Sequence, residues 1–210
     1  MSKTFEVHPN TRNLPTFAEV QKSTEEAFHS CLHFHNIAMR PKVAFHLLST
    51  KTNLNREPIV PKSPFEWDHD TYLWVSIEGM TGGIDVYKME HKEDHCLGDL
   101  AECLSSDRAI PIKKQIESAL KSGYYWLPKL SAFQSLTMHL LLGAFAGALA
   151  TRTDGLLYSI DGAWLEPRMP ISGEAFLYSY FRTTNNFRDL EQQDLQELHD
   201  SLQEELQGLK

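Results

Sequence analysis

His91 and His95 stand four residues apart, the spacing at which two side chains on one helix face can grip a metal ion. A zinc hydrolase of that kind also places a Glu directly after the first His, beside the metal-bound water. The string here is His91-Lys92-Glu93-Asp94-His95, so a Lys holds that place and the Glu turns onto another face. A solvated polar loop between a strand and a helix is the simpler reading. A metal-dependent hydrolase using His91, His95 and nearby acids is its rival. His29 and His33 also share a helix face, but beside Phe28 and Leu32 they read as partly buried histidines. Asp68, His69 and Asp70 are consecutive, so in an extended chain they alternate sides and cannot all reach one ion.

Nucleophilic and phosphate chemistry find less support. The chain has no GxSxG elbow, and Cys96 follows His95 in sequence only, which is not the spatial pairing a thiolate needs. Gly79-Met80-Thr81-Gly82-Gly83 lacks the Lys-Ser/Thr and the helix of a phosphate loop and reads as a hairpin turn. Asp154 and Asp161 each precede a Gly, which Asx turns explain without catalysis. Trp164 follows a turn, in DGAWLEPRMP, with Glu166 and Arg168 beside it. That is the anchor-and-rim pattern of a protein interface; covering one end of a central helix is the alternative. No catalytic or cofactor-binding set emerges.

Composition narrows the classes further. With 41 % hydrophobic and 23 % charged residues, 210 in all, the chain suits one large domain or one with an appendage. A net charge of −8 argues against general nucleic-acid binding, which needs clustered Lys and Arg, and fits either a solvated surface or a basic protein partner. Cys31, Cys96 and Cys103 form no even disulfide framework and no CxxC pair, which points to a reduced, cytoplasmic interior. The first fifteen residues carry no basic segment followed by an apolar one, so no secretory signal is expected.

The element that must position everything else is Ser135 to Arg152, SLTMHLLLGAFAGALATR. Every residue from Leu140 to Ala150 is apolar or Gly, with no Pro, so the stretch reads as a helix roughly 27 Å long that is covered on all sides. It is too short in its uncharged part to span a bilayer. The expected stop is Asp154-Gly155, with Gly taking the left-handed conformation.

Around it, residues 1–15, with Pro9 and Pro15, read as an irregular arm. Thr16 and Glu19 form a capping-box pattern opening a helix whose stripe is Phe17, Val20, Ala27, Phe28, Cys31 and Leu32. Lys42 to Ser49 reads as a strand, and the Pro-rich stretch from Lys51 to Pro64 as a mobile loop or an extended segment. Tyr72 to Glu78 and Ile84 to Met89 read as a hairpin. A short helix is expected at Leu97 to Leu104, and another after Pro111 with Ile112, Ile116, Ala119 and Leu120 inward. Tyr124, Tyr125 and Trp126 then supply an aromatic patch. A strand at Leu156 to Ser159 and a short helix from Gly173 to Arg182 follow. Arg188 to Leu209 reads as an acidic amphipathic helix with a seam of Leu195, Leu198, Leu202, Leu206 and Leu209.

The expected fold is therefore α+β: a small, mostly antiparallel sheet packed against helices, with the buried central helix at 135–152. Residues 1–186 are expected to form one domain, and 187–210 an acidic helix docked on it or pairing two copies into a homodimer.

The block GALATRTDGLLYSIDGAW resembles one found in bacterial immunity proteins, the antitoxins of contact-delivered or type VI secretion effector systems. There a helix rich in Ala and Leu ends in Thr-Asp-Gly or a close variant, followed by a strand and an Asp-containing turn with an aromatic. The likeness covers about residues 135–182. It implies an acidic, cytoplasmic, non-enzymatic protein, without cofactor or membrane partner, that occludes the active site of a cognate toxin. A structural adaptor dimerising through the leucine seam is a third reading. The residues expected to meet the toxin are Asp68, Asp70, Glu93, Asp94, Asp161, Trp164 and Glu166.

Overall fold

Ser135 caps the central helix, its side chain accepting from the Met138 amide, and helix Leu136–Arg152 follows. Nearly every side chain from Thr137 to Ala150 is buried, His139 being the partly exposed one. The computed structural model describes residues 3–11, 13–52, 56–90, 112–159, 170–182 and 192–208. In chain order the strands are β1 (Lys3–His8), β2 (Val43–Ser49), β3 (Arg56–Glu57), β4 (Thr71–Ile77), β5 (Ile84–Glu90), β6 (Tyr124–Leu130), β7 (Leu156–Ser159) and β8 (Ile171–Ser172). The helices are α1 (Phe17–Phe34), α2 (Lys113–Lys121), α3 (Leu136–Arg152), α4 (Gly173–Arg182) and α5 (Gln192–Gln207).

The strands form a single eight-stranded sheet in the order β3-β2-β4-β5-β6-β1-β7-β8, with every neighbouring pair antiparallel. The fold is α+β. The edge strands β3 and β8 are two residues long, which limits the unpaired edge each presents. Helix α3 lies against β1 and β6, and α1 and α4 pack on α3 from its other sides. Its small residues make that approach possible. A Cβ on Gly143 would fall 2.0 Å from the Tyr180 ring, and one on Gly147 would fall 2.4 Å from the Leu177 side chain. No helix among the described residues is long and apolar enough to cross a membrane.

Three expectations are corrected. The arm at 1–15 is not irregular: residues 3–8 form β1, between β6 and β7. Phe5 and Val7 join the main core, while the alternating Glu6 and His8 face the other way. Two apolar residues in six read as polar until both neighbours are in place. The aromatic patch at 124–126 opens strand β6. Trp126 turns toward α3, and Tyr125 stacks on His8 from the opposite face at 5.0 Å. This central strand carries Pro128, and pairing to β1 is recorded at Thr4–Lys129 and Val7–Trp126 but not between them. That gap is where Pro lacks an N–H. Finally, Asp154 and not Gly155 takes the left-handed conformation after α3, with φ +48°. The Gly155 amide donates to the Ala150 carbonyl and the Asp154 amide to Thr151, a Schellman arrangement. Gly155 is needed for clearance, since a Cβ there would sit 2.5 Å from the His8 carbonyl oxygen.

Other elements follow the sequence. Thr16 and Glu19 make the reciprocal capping box, and Phe17, Val20, Ala27, Phe28, Cys31 and Leu32 are buried. Helix α2 brings Ile116 and Ala119 against Leu156, on the sheet face opposite α3. In α5, Leu202 and Leu206 are fully buried within the same chain. Its Glu205 accepts hydrogen bonds from the Leu136 amide (3.1 Å), the Thr137 amide (2.9 Å) and the Thr137 hydroxyl. A carboxylate there caps orphan donors and meets the positive end of the helix dipole. The short helix expected at 97–104 lies outside the described residues.

Candidate functional site

The Pro-rich stretch turns at Pro61 and Lys62, where the Ser63 amide donates to the Val60 carbonyl, and its end is pinned to the start of α1. The Phe17 amide donates to the Ser63 carbonyl, Ala18 to Pro61, and Phe65 to Pro15. Phe65 is thereby driven into the core, within ring contact of Phe17, Phe45, Trp126 and Phe145. Trp67 follows it inward and is 7 % exposed. Residues 63–69 thus form a wall facing the end of β5, and between them opens a cleft of about 900 Å³. Leu47, Pro64 and Trp67 give it apolar lining; Glu66, Asp68 and Glu90 give it carboxylates.

Its charges are unequally satisfied. Lys88 bonds to Glu66 and sits over the Tyr124 ring, 4.8 Å from its centroid. Burial, with Glu66 nearby, pushes the Tyr124 hydroxyl up to about 12, so it stays protonated. The Asp68 and Glu90 side chains are exposed and form no hydrogen bond or ion pair among the described residues. The Trp67 Nε1 donor is buried and has no acceptor among them either.

Beyond the cleft the sheet presents its other face. On β4, β5 and β6 the residues alternating with the core are Tyr72, Trp74, Asp85, Tyr87, Met89, Leu127 and Lys129. Tyr72 and Tyr87 stack at 5.5 Å, nearly parallel. Trp74 lies close against Gly83, where a Cβ would be 2.5 Å from the indole. Met89 is exposed and also lines the cleft, so the acidic and aromatic surfaces meet at Met89 and Glu90. Asp85 is half-buried, and burial raises its pKa against the opposing charge of Lys129.

Of the residues expected to meet a partner, Asp68 lines the cleft. Asp70 is engaged elsewhere: it bonds to Lys51, and that hydrogen bond, helped by the Lys51 and His69 charges, lowers its pKa. Its backbone carbonyl accepts from Thr50. The others, Glu93, Asp94, Asp161, Trp164 and Glu166, lie outside the described residues, as do His91, His95, Cys96 and Cys103. Cys31 is buried, and burial raises its thiol pKa well above the ordinary range, which removes it as a nucleophile. His29 is tied to the Pro41 carbonyl at 2.9 Å and His33 is exposed, so that pair does not converge. Among the described residues no three His, Cys, Asp or Glu side chains come close enough to share a metal ion. Glu6 and His8 pair at 3.0 Å, but both are buried in the sheet and out of a ligand's reach.

Sequence reasoning missed Glu66, Glu90 and the aromatic face. The signal for the face was present in YLWVSI and IDVYKM, where both alternating sets are large, and one set must lie opposite the core. Nothing local signals the cleft, which exists because α1 holds a distant Pro-rich segment beside β5. Compared with protein-family models, curated proteins and solved structures, the chain matches none.

Proposed function

We propose that the protein is an immunity protein, neutralising a cognate bacterial toxin by covering its active site. The observation that carries the reading is the junction at Met89 and Glu90, where an acid-lined cleft adjoins an aromatic sheet face. Tyr, Trp and Met are the residues enriched at interface centres, and rim charges govern the rate of encounter. An acidic chain with such a surface suits a partner whose own active-site surface is basic. The resemblance of residues 135–182 to immunity proteins supports the same reading.

The test is binding kinetics against the product of a neighbouring toxin gene, with circular dichroism to confirm that each variant is folded. Asp68→Lys combined with Glu90→Lys is expected to slow association and weaken its dependence on salt. Trp74→Ala is expected to leave association nearly unchanged and to speed dissociation by about 30-fold or more, the effect of losing a hot spot of roughly 2 kcal/mol. Failure of the wild-type protein to bind the toxin or protect cells from it overturns the proposal.

A further inference from the structure

We infer that Phe133 anchors the complex by inserting its ring into an apolar pocket of the toxin; this rests on the reading of the protein as a toxin binder. Phe133 sits in the turn between β6 and α3, fully exposed and with no ring contact among the described residues. Its backbone is left-handed, with φ +65°. Among the described residues two other non-glycine positions share that conformation, Asn36 and Asp154, and both are types that tolerate it. A bulky ring at such a position is strained, and here no packing offsets the strain. Gly or Asn would serve the turn better, so the fold does not account for this side chain.

The turn is fixed on both sides of the ring. Before it Leu130 is wholly buried at the end of β6, and after it Ser135 caps α3. The Gln134 side chain lies against Gly82, where a Cβ would be 2.2 Å from its Oε1. The next residue, Gly83, lies against Trp74. The neighbour of Phe133 and Trp74 thus meet the same hairpin turn, and Phe133 continues the proposed interface past the end of the sheet. An aromatic held in place before binding loses little freedom on docking. Its surroundings favour a pocket over a flat apolar surface. Ser131, Gly79 and Thr81, in the two turns, are exposed, and Met80 between them packs onto the core. A single ring with a polar rim is also a poor bilayer anchor, and a chain of net charge −8 is repelled by anionic lipid.

The test compares the wild type with Phe133→Asn, which suits the left-handed turn and removes the ring. On heating, followed by circular dichroism, the variant is expected to melt within about 2 °C of the wild type or above it. A larger drop would show that the ring packs on the fold, and overturns the inference. In binding kinetics against the product of the neighbouring toxin gene, the variant is expected to dissociate about 30-fold faster or more, with association nearly unchanged. Phe133→Leu, which keeps an apolar side chain, is expected to lose less. Neither the wild type nor Phe133→Asn is expected to sediment with phosphatidylglycerol vesicles, and light scattering is expected to give both the same mass. Vesicle binding that Phe133→Asn abolishes assigns the ring to a membrane, and a larger wild-type mass assigns it to a second copy; either overturns the inference. Equal dissociation of wild type and Phe133→Asn overturns it too and leaves the immunity reading standing. A wild-type protein that does not bind the toxin removes that reading and this inference together.

Discussion

On β4, Leu73, Val75 and Ile77 are almost wholly buried beneath the helices, whereas Tyr72 and Trp74 between them are only partly covered. The same alternation runs through β5, where Ile84 and Val86 are buried and Asp85 and Tyr87 are not. The two sides of the sheet are thus similar in aromatic content but different in what holds the rings. On the helix side, Phe45, Phe65, Trp126 and Phe145 touch one another around α3. On the opposite side, among the described residues, Tyr72 and Tyr87 stack on each other, and Trp74 has the backbone at Gly83. Rings of the first kind are explained by stability. Rings of the second kind belong to no such cluster among the described residues, and this makes them candidates for recognition.

The largest expected effect tests that difference directly. Trp126→Ala, on the helix side, should destabilise the protein by about 3–5 kcal/mol, because it empties a fully buried site. Trp74→Ala, on the opposite side, should cost less than about 1 kcal/mol. Urea unfolding of both variants measures the gap, and equal losses would abolish the distinction between the faces. Next comes Glu205→Ala, which leaves two amides and a hydroxyl at the start of α3 without their acceptor. It should cost about 1–2 kcal/mol by thermal or chemical unfolding, with Glu205→Gln losing less.

Acid should reach the helix side by another route. Burial, with the Lys3 charge next, lowers the His139 pKa from 6.5 to about 4, despite the opposing influence of Glu205. The folded protein therefore keeps the ring neutral where the unfolded chain would protonate it. This group has no effect on stability above pH 6.5, and stability falls as pH drops from 6.5 toward 4. Melting temperatures across that window should decline less in His139→Gln. The smallest effect lies on the opposite side. Burial raises the Asp85 pKa, so its ionised form disfavours folding, and stability is lost as pH rises through the folded-state value. Asp85→Asn should raise stability near neutral pH by a few tenths of a kcal/mol, about the scale of surface substitutions. A loss instead would show that Lys129 outweighs burial.

Local pattern was enough for some elements and not for others. Ser135 to Arg152 announces a buried helix by composition alone, and Thr16 with Glu19 announces the start of α1 through chemistry confined to four residues. Strands β1 and β6 could not be read this way. Lys3 to His8 is a strand because β6 and β7 flank it, and Pro128 would ordinarily argue against a central strand. Sequence alone puts the left-handed residue after α3 one position late, because Gly155 provides clearance beside β1 while Asp154 carries the positive φ. The candidate site was less legible still. Asp68 was identifiable as a surface acid, but its grouping with Glu90 and Trp67 depends on where α1 anchors the preceding loop. Whether a surface aromatic such as Trp74 faces core or solvent depends on which side of the sheet the helices take.

The position of β1 bears on how the protein is made. Residues 3–8 leave the ribosome more than a hundred residues before their partners, residues 124–130 and 156–159. Two of the sheet's internal pairings therefore wait for those later strands, and each closes a loop of more than a hundred residues. The hairpin of β4 and β5, by contrast, closes within its own neighbourhood. The nascent chain can assemble β2, β4 and β5 first, but it must keep Phe5 and Val7 from other partners until α3 and β7 emerge. Late insertion of an early strand favours slow folding and gives chaperones a defined segment to protect.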